Sequence, residues 1–317
     1  MSKTRKVFTI FCIIGFCFSA AIFIAANLIE DTWLTELSVS LTTPHFISTI
    51  ALILVFAFLK KRAFVFAGLI LLLGQGALMT QTYINATPFM TRQTGEQITI
   101  FQYNTHLYSG GGKKIVDWIE LNHEKLDIVF LQEINPELKS ELKRLRAIFP
   151  YSICPEGNRF ERAFFSKLPI KAASLRPYET TYSHYTDVTI ETVNGKELQF
   201  IGIHAMCPAS PDHLIMRNAQ FADLARILNK SEVKHHMILG DFNVTPYSPA
   251  YKRLIKQANL KYPRTHTGSW PSHIDTNFLR IHIDHLLVSD GIDYVSQHVG
   301  DNIASDHLPV LTTVRLN

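Results

Sequence analysis

The chain has 317 residues, a formal net charge of +4 and 47% hydrophobic residues, which is enough to suggest a membrane region. Residues 1–95 contain seven Lys or Arg and three Asp or Glu, whereas residues 96–317 contain 24 of each sign. Because the larger region is formally neutral, it provides no general field for polyanions, which argues against non-specific nucleic-acid binding. Four cysteines are too few for a disulfide framework, and the pairing of Cys154 with Cys207 stays open.

The first predicted element is a transmembrane helix. Val7–Leu28 is a run of 22 residues without a charge, long enough to cross a hydrocarbon core. The basic residues before it also fit a signal peptide. Two further apolar blocks follow, His45–Leu59 and Ala63–Met79, and they favour a retained helix. We therefore predict a membrane region over residues 1–82 with about three transmembrane helices, and a linker over residues 83–95.

The connections between these blocks predict a helix start and an orientation. Thr43 and Pro44 are typical of the N-cap and first residue of a helix. The N-terminus and the turn at residues 60–62 are basic, whereas residues 29–44 contain three acidic residues and no Lys or Arg. Because basic loops stay in the cytoplasm, three crossings predict a multi-pass membrane protein with its large domain extracytoplasmic.

The region 96–317 mixes strand and helix patterns. Alternating or continuous apolar runs predict strands at QITIFQYN, LDIVFLQE, YSICP, RAFFSKLPI, DVTIETV, ELQFIGIHA, HHMIL, HIDHLLVS and LPVLTTVRL. Helical periodicity predicts helices at GGGKKIVDWIEL, PELKSELKRLRAIF, residues 212–229 and SPAYKRLIKQA. Most neighbours are not simple βαβ repeats, so two packed sheets with helices outside fit better than one doubly wound sheet.

Polar side chains recur where these strands end. One carboxylate or histidine in such a place is usually structural, and GDFN alone is ordinary turn chemistry. Here a few residue types recur at the same kind of position: Asn104, Glu133, His204, Asp241, Asn243, Asp284, His285, Asp306 and His307. Glu, Asp and Asn offer oxygen ligands that suit Mg²⁺ or Mn²⁺, and Asp and His can activate water and stabilise charge at a phosphate. The pattern predicts a metal-dependent phosphoric ester hydrolase.

The order of the segments LQE, FFSKLPI, GIHA, GDFNVTP, IDHLLVS and SDHLPV resembles the endonuclease/exonuclease/phosphatase superfamily, which has the DNase-I-like fold. The resemblance covers about residues 96–317 and implies a catalytic domain built as a four-layer α/β/β/α sandwich. Preceded by three transmembrane helices, this domain also resembles the membrane-anchored bacterial branch of that superfamily.

The resemblance also implies a role for each matching residue. Glu133 corresponds to the principal metal carboxylate, with Asn104 and Asp306 close to the ion. Catalytic roles are implied for Asp241, which aligns or activates water, for Asn243, His204 and His307 at the phosphate, and for Asp284 as the partner of His307. The resemblance leaves His285 open between support of the site and packing under its strand. His106 stands where some nuclease members have an acid, which weakens the analogy to DNA repair. A phosphate contact is implied near Tyr182, His184 and Tyr185.

Three functions remain open from the sequence, because this fold serves many phosphoesters. The first is hydrolysis of a lipid-linked phosphate, such as a polyprenyl pyrophosphate or phospholipid, at the outer face of the membrane, with Mg²⁺ or Mn²⁺ as cofactor. The second is an extracytoplasmic nuclease, which the neutral domain disfavours. The third is a non-catalytic binding protein, which the complete set of chemical residues disfavours.

Overall fold

A computed structural model gives the structure of the chain over residues 3–29, 32–90, 94–154, 162–265 and 267–316. These residues form two compact units. One, the helical unit, comprises Met1–Asn85 and Thr245–Lys252. The other, the α/β unit, comprises Ala86–Val244 and Arg253–Asn317.

The N-terminal helices are α1 (Lys3–Leu28), α2 (Trp33–Ser40), α3 (Thr42–Phe58) and α4 (Arg62–Asn85). Helices α1 and α4 are each long and apolar enough to cross a membrane. Helices α2 and α3 pass that test only together and are bent by 71° at their junction, so the described residues hold two or three candidate spans. Phe16, Phe56 and Leu71 form a buried cluster between α1, α3 and α4.

Three details of these helices differ from the sequence prediction. Helix α2 lies in the segment predicted as a loop, and it begins because the Thr32 side chain accepts a hydrogen bond from the backbone of Thr35. The predicted cap at Thr43 and Pro44 is wrong, because α3 begins at Thr42, whose hydroxyl bonds to Val39 O. Helix α4 runs six residues beyond the predicted block, through the polar segment that ends at Asn85.

The remaining elements follow in chain order. They are β1 (Glu96–Asn104), α5 (Gly112–Asn122), β2 (Ile128–Gln132), α6 (Pro136–Glu141), β3 (Tyr151–Ile153), β4 (Arg162–Ser166), β5 (Ile170–Pro177), β6 (His184–Glu191), β7 (Glu197–His204), α7 (Pro211–Asn229), β8 (His235–Asp241), α8 (Pro249–Gln257), β9 (Asp284–Val288), β10 (Ile292–Val299) and β11 (Val310–Leu316). Short 3-10 helices occupy His123–Lys125, Leu142–Ala147 and Asn277–Leu279.

The strands form two sheets. The six-stranded sheet has the order β10-β11-β1-β2-β4-β3, and the five-stranded sheet has the order β5-β6-β7-β8-β9. Strand β1 pairs parallel with β2, and β7 pairs parallel with β8; the other neighbours are antiparallel. The predicted α/β class with two packed sheets is confirmed.

Side chains along each strand alternate between the two faces of its sheet, and each face packs against a different layer. In β2, Ile128 and Phe130 join the core between the sheets, whereas Val129 and Leu131 pack on the side of α5 and α6. This explains why the strand is a continuous apolar run, since both of its faces are buried. On the opposite side, α7 buries Phe221, whose ring centroid lies 6.0 Å from that of Phe242. Helices therefore cover the outer faces of the two sheets, which gives the four-layer sandwich.

Other elements departed from the prediction. Strand β10 was not expected, because its segment IDYVSQHV mixes polar residues on both faces and only two of its residues are buried. The helix expected over PELKSELKRLRAIF is α-helical only to Glu141 and then continues as a 3-10 helix. The predicted linker begins inside α4, and its Thr87 donates a backbone hydrogen bond to Tyr262 within the α/β unit.

The two sheets meet closely at Gly240. Its backbone N–H donates to Gln102 Oε1 at 3.1 Å, and the N–H of Asp241 donates to Gln132 Oε1 at 2.9 Å. A Cβ on Gly240 would lie 2.0 Å from the carbonyl oxygen of Ile203. The φ angle of Gly240 is +132°, a conformation that residues with a side chain rarely adopt.

Gly240→Ala should therefore destabilise the protein by about 3 kcal/mol or more, since overpacking adds to backbone strain. Gly195→Ala is the matched control, because Gly195 also has a positive φ (+74°) but has open space around its Cβ position. We expect the control substitution to lower the free energy of unfolding by about 1–2 kcal/mol. Chemical denaturation of both variants measures the difference, and equal losses would contradict the steric explanation.

Candidate functional site

The inward-facing row of each central strand changes from apolar to polar at one edge of the fold. In β8, Met237 and Leu239 lie in the core and Asp241 ends the same row. The residues that end or begin such rows are Asn104, Gln132, Arg162, His184, His204, Asp241 and Asp284. The register places His204 opposite Asp241, and Asp241 opposite Asp284. Polar groups from both sheets therefore converge on one small region.

Asn104 connects the two sheets within this region. Its Nδ2 donates to Glu133 Oε1 at 2.9 Å and to Asp241 Oδ2 at 3.2 Å. Glu133 follows β2 with a left-handed φ of 52°, and its Oε2 accepts a hydrogen bond from the backbone of Leu107 at 3.1 Å. His204 Nε2 lies 3.3 Å from Glu133 Oε1. The side chains predicted as ligand and catalyst are thus in direct contact.

The segment GDFN is both a turn and part of this cluster. The backbone N–H of Asn243 donates to Asp241 Oδ1 at 2.8 Å, and Asn243 has a left-handed φ of 50°. Its Nδ2 donates to Ala205 O at 3.0 Å and to Asp241 Oδ2 at 3.2 Å. With both amide protons engaged in this way, Asn243 orients Asp241, and contact with a phosphate would require one of these bonds to be exchanged.

His307 is held between two carboxylates. Its Nδ1 lies 2.8 Å from Asp284 Oδ2, which also accepts a hydrogen bond of 2.5 Å from Ser269 Oγ. Its Nε2 lies 3.8 Å from Asp241 Oδ2. Burial alone lowers the pKa of His307, but the charge of Asp284 and the hydrogen bond to it outweigh burial and raise that pKa to about 10. His307 is therefore an imidazolium at neutral pH.

Asp241 is 1% exposed. Burial first, and then the charge of Asp284, raise the pKa of Asp241 to about 6, while His307 and His204 act in the opposite direction. A carboxylate with a pKa just below neutral is ionised at pH 7 and can still accept a proton, as a general base requires.

Asp306 lies on the side of the site that is open to solvent. Its side chain is 41% exposed, and its Oδ1 lies 3.6 Å from His106 Nδ1. Its Oδ2 accepts a hydrogen bond of 3.1 Å from Trp270 Nε1. Ser305 beside it bonds to Asn104 O at 2.8 Å, which fixes the loop against the end of β1.

One residue set brings metal-ligand atoms close together among the described residues, and the sequence predicts a second set. Asp241, Asp284 and His307 offer ligand atoms within 4.8 Å of one another. A metal on these three would compete with the proton that His307 holds between the two carboxylates. We favour the predicted set of Glu133, Asn104 and Asp306, because Glu133 and Asp306 are carboxylates open to solvent and the three together offer oxygen atoms.

The structure separates the tentative phosphate contacts. His184 begins β6, and continuing its register with β7 brings it opposite His204. The side chain of Tyr182 is fully exposed, and among the described residues it makes no hydrogen bond with this cluster. Tyr185 is buried and packs on Tyr178 at 5.2 Å. Only His184 of these three shares the inward row of the site.

His285, left open by the sequence, is a supporting residue. It is fully buried, and its Nε2 lies 2.8 Å from Val244 O, beneath the loop that follows Asn243. Burial lowers its pKa well below the ordinary value, so its ring is neutral.

Sequence reasoning missed several supporting residues. Ser269 and Trp270 lie in a loop without any motif, so no signal pointed to their bonds with Asp284 and Asp306. Gln132 was visible in LQE, and its inward position two residues after the core residue Phe130 could have identified it. Gln102 is two residues before Asn104 and carries the same signal.

Comparisons with known proteins agree with this geometry. A sequence model of the Endonuclease/Exonuclease/phosphatase family matches residues 101–307. Among curated proteins, none matches the chain.

Solved structures are similar in fold. An endonuclease/exonuclease/phosphatase family protein from Bacteroides thetaiotaomicron is 15% identical, with a TM-score of 0.57 over 71% of this chain and 99% of that chain. An endonuclease/exonuclease/phosphatase from Bacteroides vulgatus is 16% identical, with a TM-score of 0.56 over 70% and 100%. D. rerio TDP2, complexed with a single-strand DNA product, is 14% identical, with a TM-score of 0.54 over 69% and 99%.

Removal of His307 should lower the turnover of a phosphoester by about 10²–10³, because a donor that stabilises charge is lost. Asp284→Asn should act in the same direction, since it removes the carboxylate that keeps His307 protonated. The double variant of Asp284→Asn with His307→Ala should lower turnover only slightly more than His307→Ala alone, because the two residues act as one unit. Steady-state kinetics on the four proteins of this cycle measures the coupling.

The control for this cycle is His298→Ala, an exposed histidine on β10. It should leave turnover unchanged. Additive losses in the double variant would show that Asp284 serves a group other than His307.

Proposed function

The chain belongs to the endonuclease/exonuclease/phosphatase family, whose members are hydrolytic phosphoesterases, and we propose that it hydrolyses a lipid-linked phosphate at the outer face of a membrane. The substrate class is a polyprenyl pyrophosphate or a phospholipid. The single observation that carries the proposal is the convergence of Asp241, His204 and His307 beside Glu133. This set pairs a buried general base with the His307 imidazolium and a second histidine side chain, groups that can activate water and stabilise charge at a phosphate.

Asp241 aligns the attacking water and accepts its proton, held in place by Asn243 and Asn104. The imidazolium of His307 faces the phosphate, stabilises the charge that develops on its oxygens, and can give its Nε2 proton to the leaving oxygen. Asp284 keeps His307 protonated and oriented. His204 donates to the phosphate from the strand beside Asp241.

The residues present fit a divalent cation. Glu133, Asp241, Asp284 and Asp306 bring four carboxylates to the region, and His307 supplies one positive charge close to two of them. Glu133, Asn104 and Asp306 would hold Mg²⁺ or Mn²⁺. When bound, the ion would neutralise charge on the phosphoryl oxygens.

A lipid-linked substrate is favoured by the two or three apolar helices that precede the α/β unit, because they bring the enzyme to lipid. The formally neutral region 96–317 also disfavours a polyanionic substrate. The second candidate is an extracytoplasmic nuclease, which is supported by the single-strand DNA product in the similar D. rerio TDP2 structure.

Hydrolysis should require Mg²⁺ or Mn²⁺, stop in a chelator, and return when metal is added. A panel of a polyprenyl pyrophosphate, phospholipids, sphingomyelin, an inositol phosphate and DNA should show the highest kcat/KM for a lipid substrate. Asp241→Ala should lower turnover at least about 10³-fold on the preferred substrate. Phosphate release and product chromatography measure both.

Glu133→Gln is the variant that separates metal binding from folding. It should weaken metal binding and leave the melting temperature near that of the wild type, because Glu133 lies at the site edge and is not part of the core. Full activity in the presence of a chelator would remove the metal-dependent mechanism. A highest kcat/KM for DNA would favour the nuclease instead.

Reporter fusions test the orientation. The N-terminus and the basic turn Lys60–Arg62 should be cytoplasmic, and a reporter fused after Met90 should be extracytoplasmic. This outcome requires α2 and α3 to cross together, because α1 and α4 alone would return the chain to the cytoplasm. A reporter after Lys61 is the control for the cytoplasmic side, and cytoplasmic activity of the Met90 fusion would refute the proposed orientation.

A further inference from the structure

Two loops beside the site expose large apolar side chains to solvent. On the first loop, Tyr108 is 87% exposed and Leu107 is 40% exposed. On the second, Phe278 is 70% exposed and Leu279 is 41% exposed. Isolated apolar residues are common on surfaces. Adjacent apolar pairs on two loops that both contact the same residue, here Asp306, are typical of a binding surface. We name these four residues the apolar rim.

The first loop is fixed to the candidate metal carboxylates. The backbone N–H of Leu107 donates to Glu133 Oε2 at 3.1 Å. His106, one residue earlier, lies 3.6 Å from Asp306 and packs its ring edge-on against Tyr108 with centroids 6.1 Å apart. This half of the rim is therefore next to the place where a phosphate would be bound.

The second loop is fixed to the same aspartate. Trp270 and Ile281 exchange backbone hydrogen bonds and so close the loop that carries Phe278 and Leu279. Trp270 Nε1 donates to Asp306 Oδ2 at 3.1 Å, and Ser272 N donates to Asp306 O at 2.7 Å. Both halves of the rim are thus held by contacts to Asp306.

The charges of these loops disfavour a polyanionic ligand. Residues 105–111 contain no Lys, Arg, Asp or Glu, and residues 271–281 contain one of each sign, Asp275 and Arg280. A groove for nucleic acid needs several basic residues along the phosphate backbone. Exposed aromatic and aliphatic side chains with almost no charge instead match hydrocarbon and the membrane interface, where Tyr and Phe are favourable.

The apolar helices of the chain are the reason that we choose lipid as the partner of the rim. It carries two or three helices apolar enough to cross a membrane, and the last of them, α4, ends at Asn85. The α/β unit begins at the next residue, Ala86, so no separate linker lies between that unit and the helix. A connection this short keeps the α/β unit within reach of the lipid surface.

We propose that the apolar rim contacts the bilayer surface and binds the hydrocarbon part of the lipid whose phosphate is hydrolysed. This inference rests on the proposed function and adds the residues that select a lipid-linked substrate over a soluble phosphate ester. The rim contributes to binding of the lipid portion and takes no part in the chemical step.

Kinetics of the full chain in Mg²⁺-containing proteoliposomes tests the selection. The triple variant Tyr108→Ser, Phe278→Ser and Leu279→Ser should lower kcat/KM for a long-chain polyprenyl pyrophosphate in the bilayer by about tenfold or more, mainly through KM. Hydrolysis of dimethylallyl pyrophosphate in solution should be unchanged, because that substrate has almost no hydrocarbon to bind. The control Leu121→Ser with Val193→Ser, which changes two equally exposed apolar residues far from the strand ends of the site, should affect neither substrate.

A second measurement is independent of hydrolysis. Phe278→Trp should be quenched by lipids brominated on their acyl chains, and Leu121→Trp should not, with the wild-type tryptophan signal as background. Equal losses on both pyrophosphates, or equal quenching of the two tryptophan variants, would overturn the inference. A wild-type protein that hydrolyses neither pyrophosphate nor any phospholipid of the panel while Phe278→Trp is quenched would refute the proposed function and leave the lipid contact of the rim supported.

Discussion

The close approach of the two sheets at Gly240 is the constraint on which the site depends. The last amides of β8 donate to Gln102 and Gln132 of the other sheet, and a Cβ on Gly240 would lie 2.0 Å from the Ile203 carbonyl of the neighbouring strand and 3.1 Å from the Gln132 side chain. A buried amide that loses its partner costs about 1–3 kcal/mol, so these bonds fix one sheet against the other. Because Asp241 follows directly, the same contact determines its distance from Asn104 and Glu133, which belong to the other sheet.

The electrostatics of the site follow from that geometry. Packing the sheets together buries Asp241 near Asp284, and two buried carboxylates repel one another unless a positive charge lies between them. His307 provides that charge, and its protonation is favoured by the same carboxylates. The pKa of Asp241 and the pKa of His307 are therefore two results of one arrangement. It places an ionised carboxylate beside an imidazolium at neutral pH.

Local patterns were enough to predict the fold class and most strands, because alternation and continuous apolar runs report burial directly. The order of polar residues at strand ends was enough to predict which side chains occur near one another. The contacts between the two sheets were not predictable from the sequence. The position of β1 over β8 depends on packing between residues that are 138 positions apart in the chain. Strand β10 and the bonds of Ser269 and Trp270 were missed because their segments have neither apolar periodicity nor a motif.

The residues proposed for the chemical step lie at strand ends, whereas the residues proposed to select the substrate lie in loops. Residues at strand ends are fixed by the ladders and by the core, so Asn104, His204 and Asp241 can hold a precise geometry for phosphate hydrolysis. The loops around Asp306 can vary in the side chains that they expose, because the site engages their backbone and the side chains of His106, Ser269 and Trp270, whereas Tyr108 and Phe278 face solvent. Solved structures with less than a fifth of their residues identical have a similar fold. The two loops present aromatic and aliphatic side chains with almost no charge beside Asp306, and these are the side chains through which we propose that the substrate is selected.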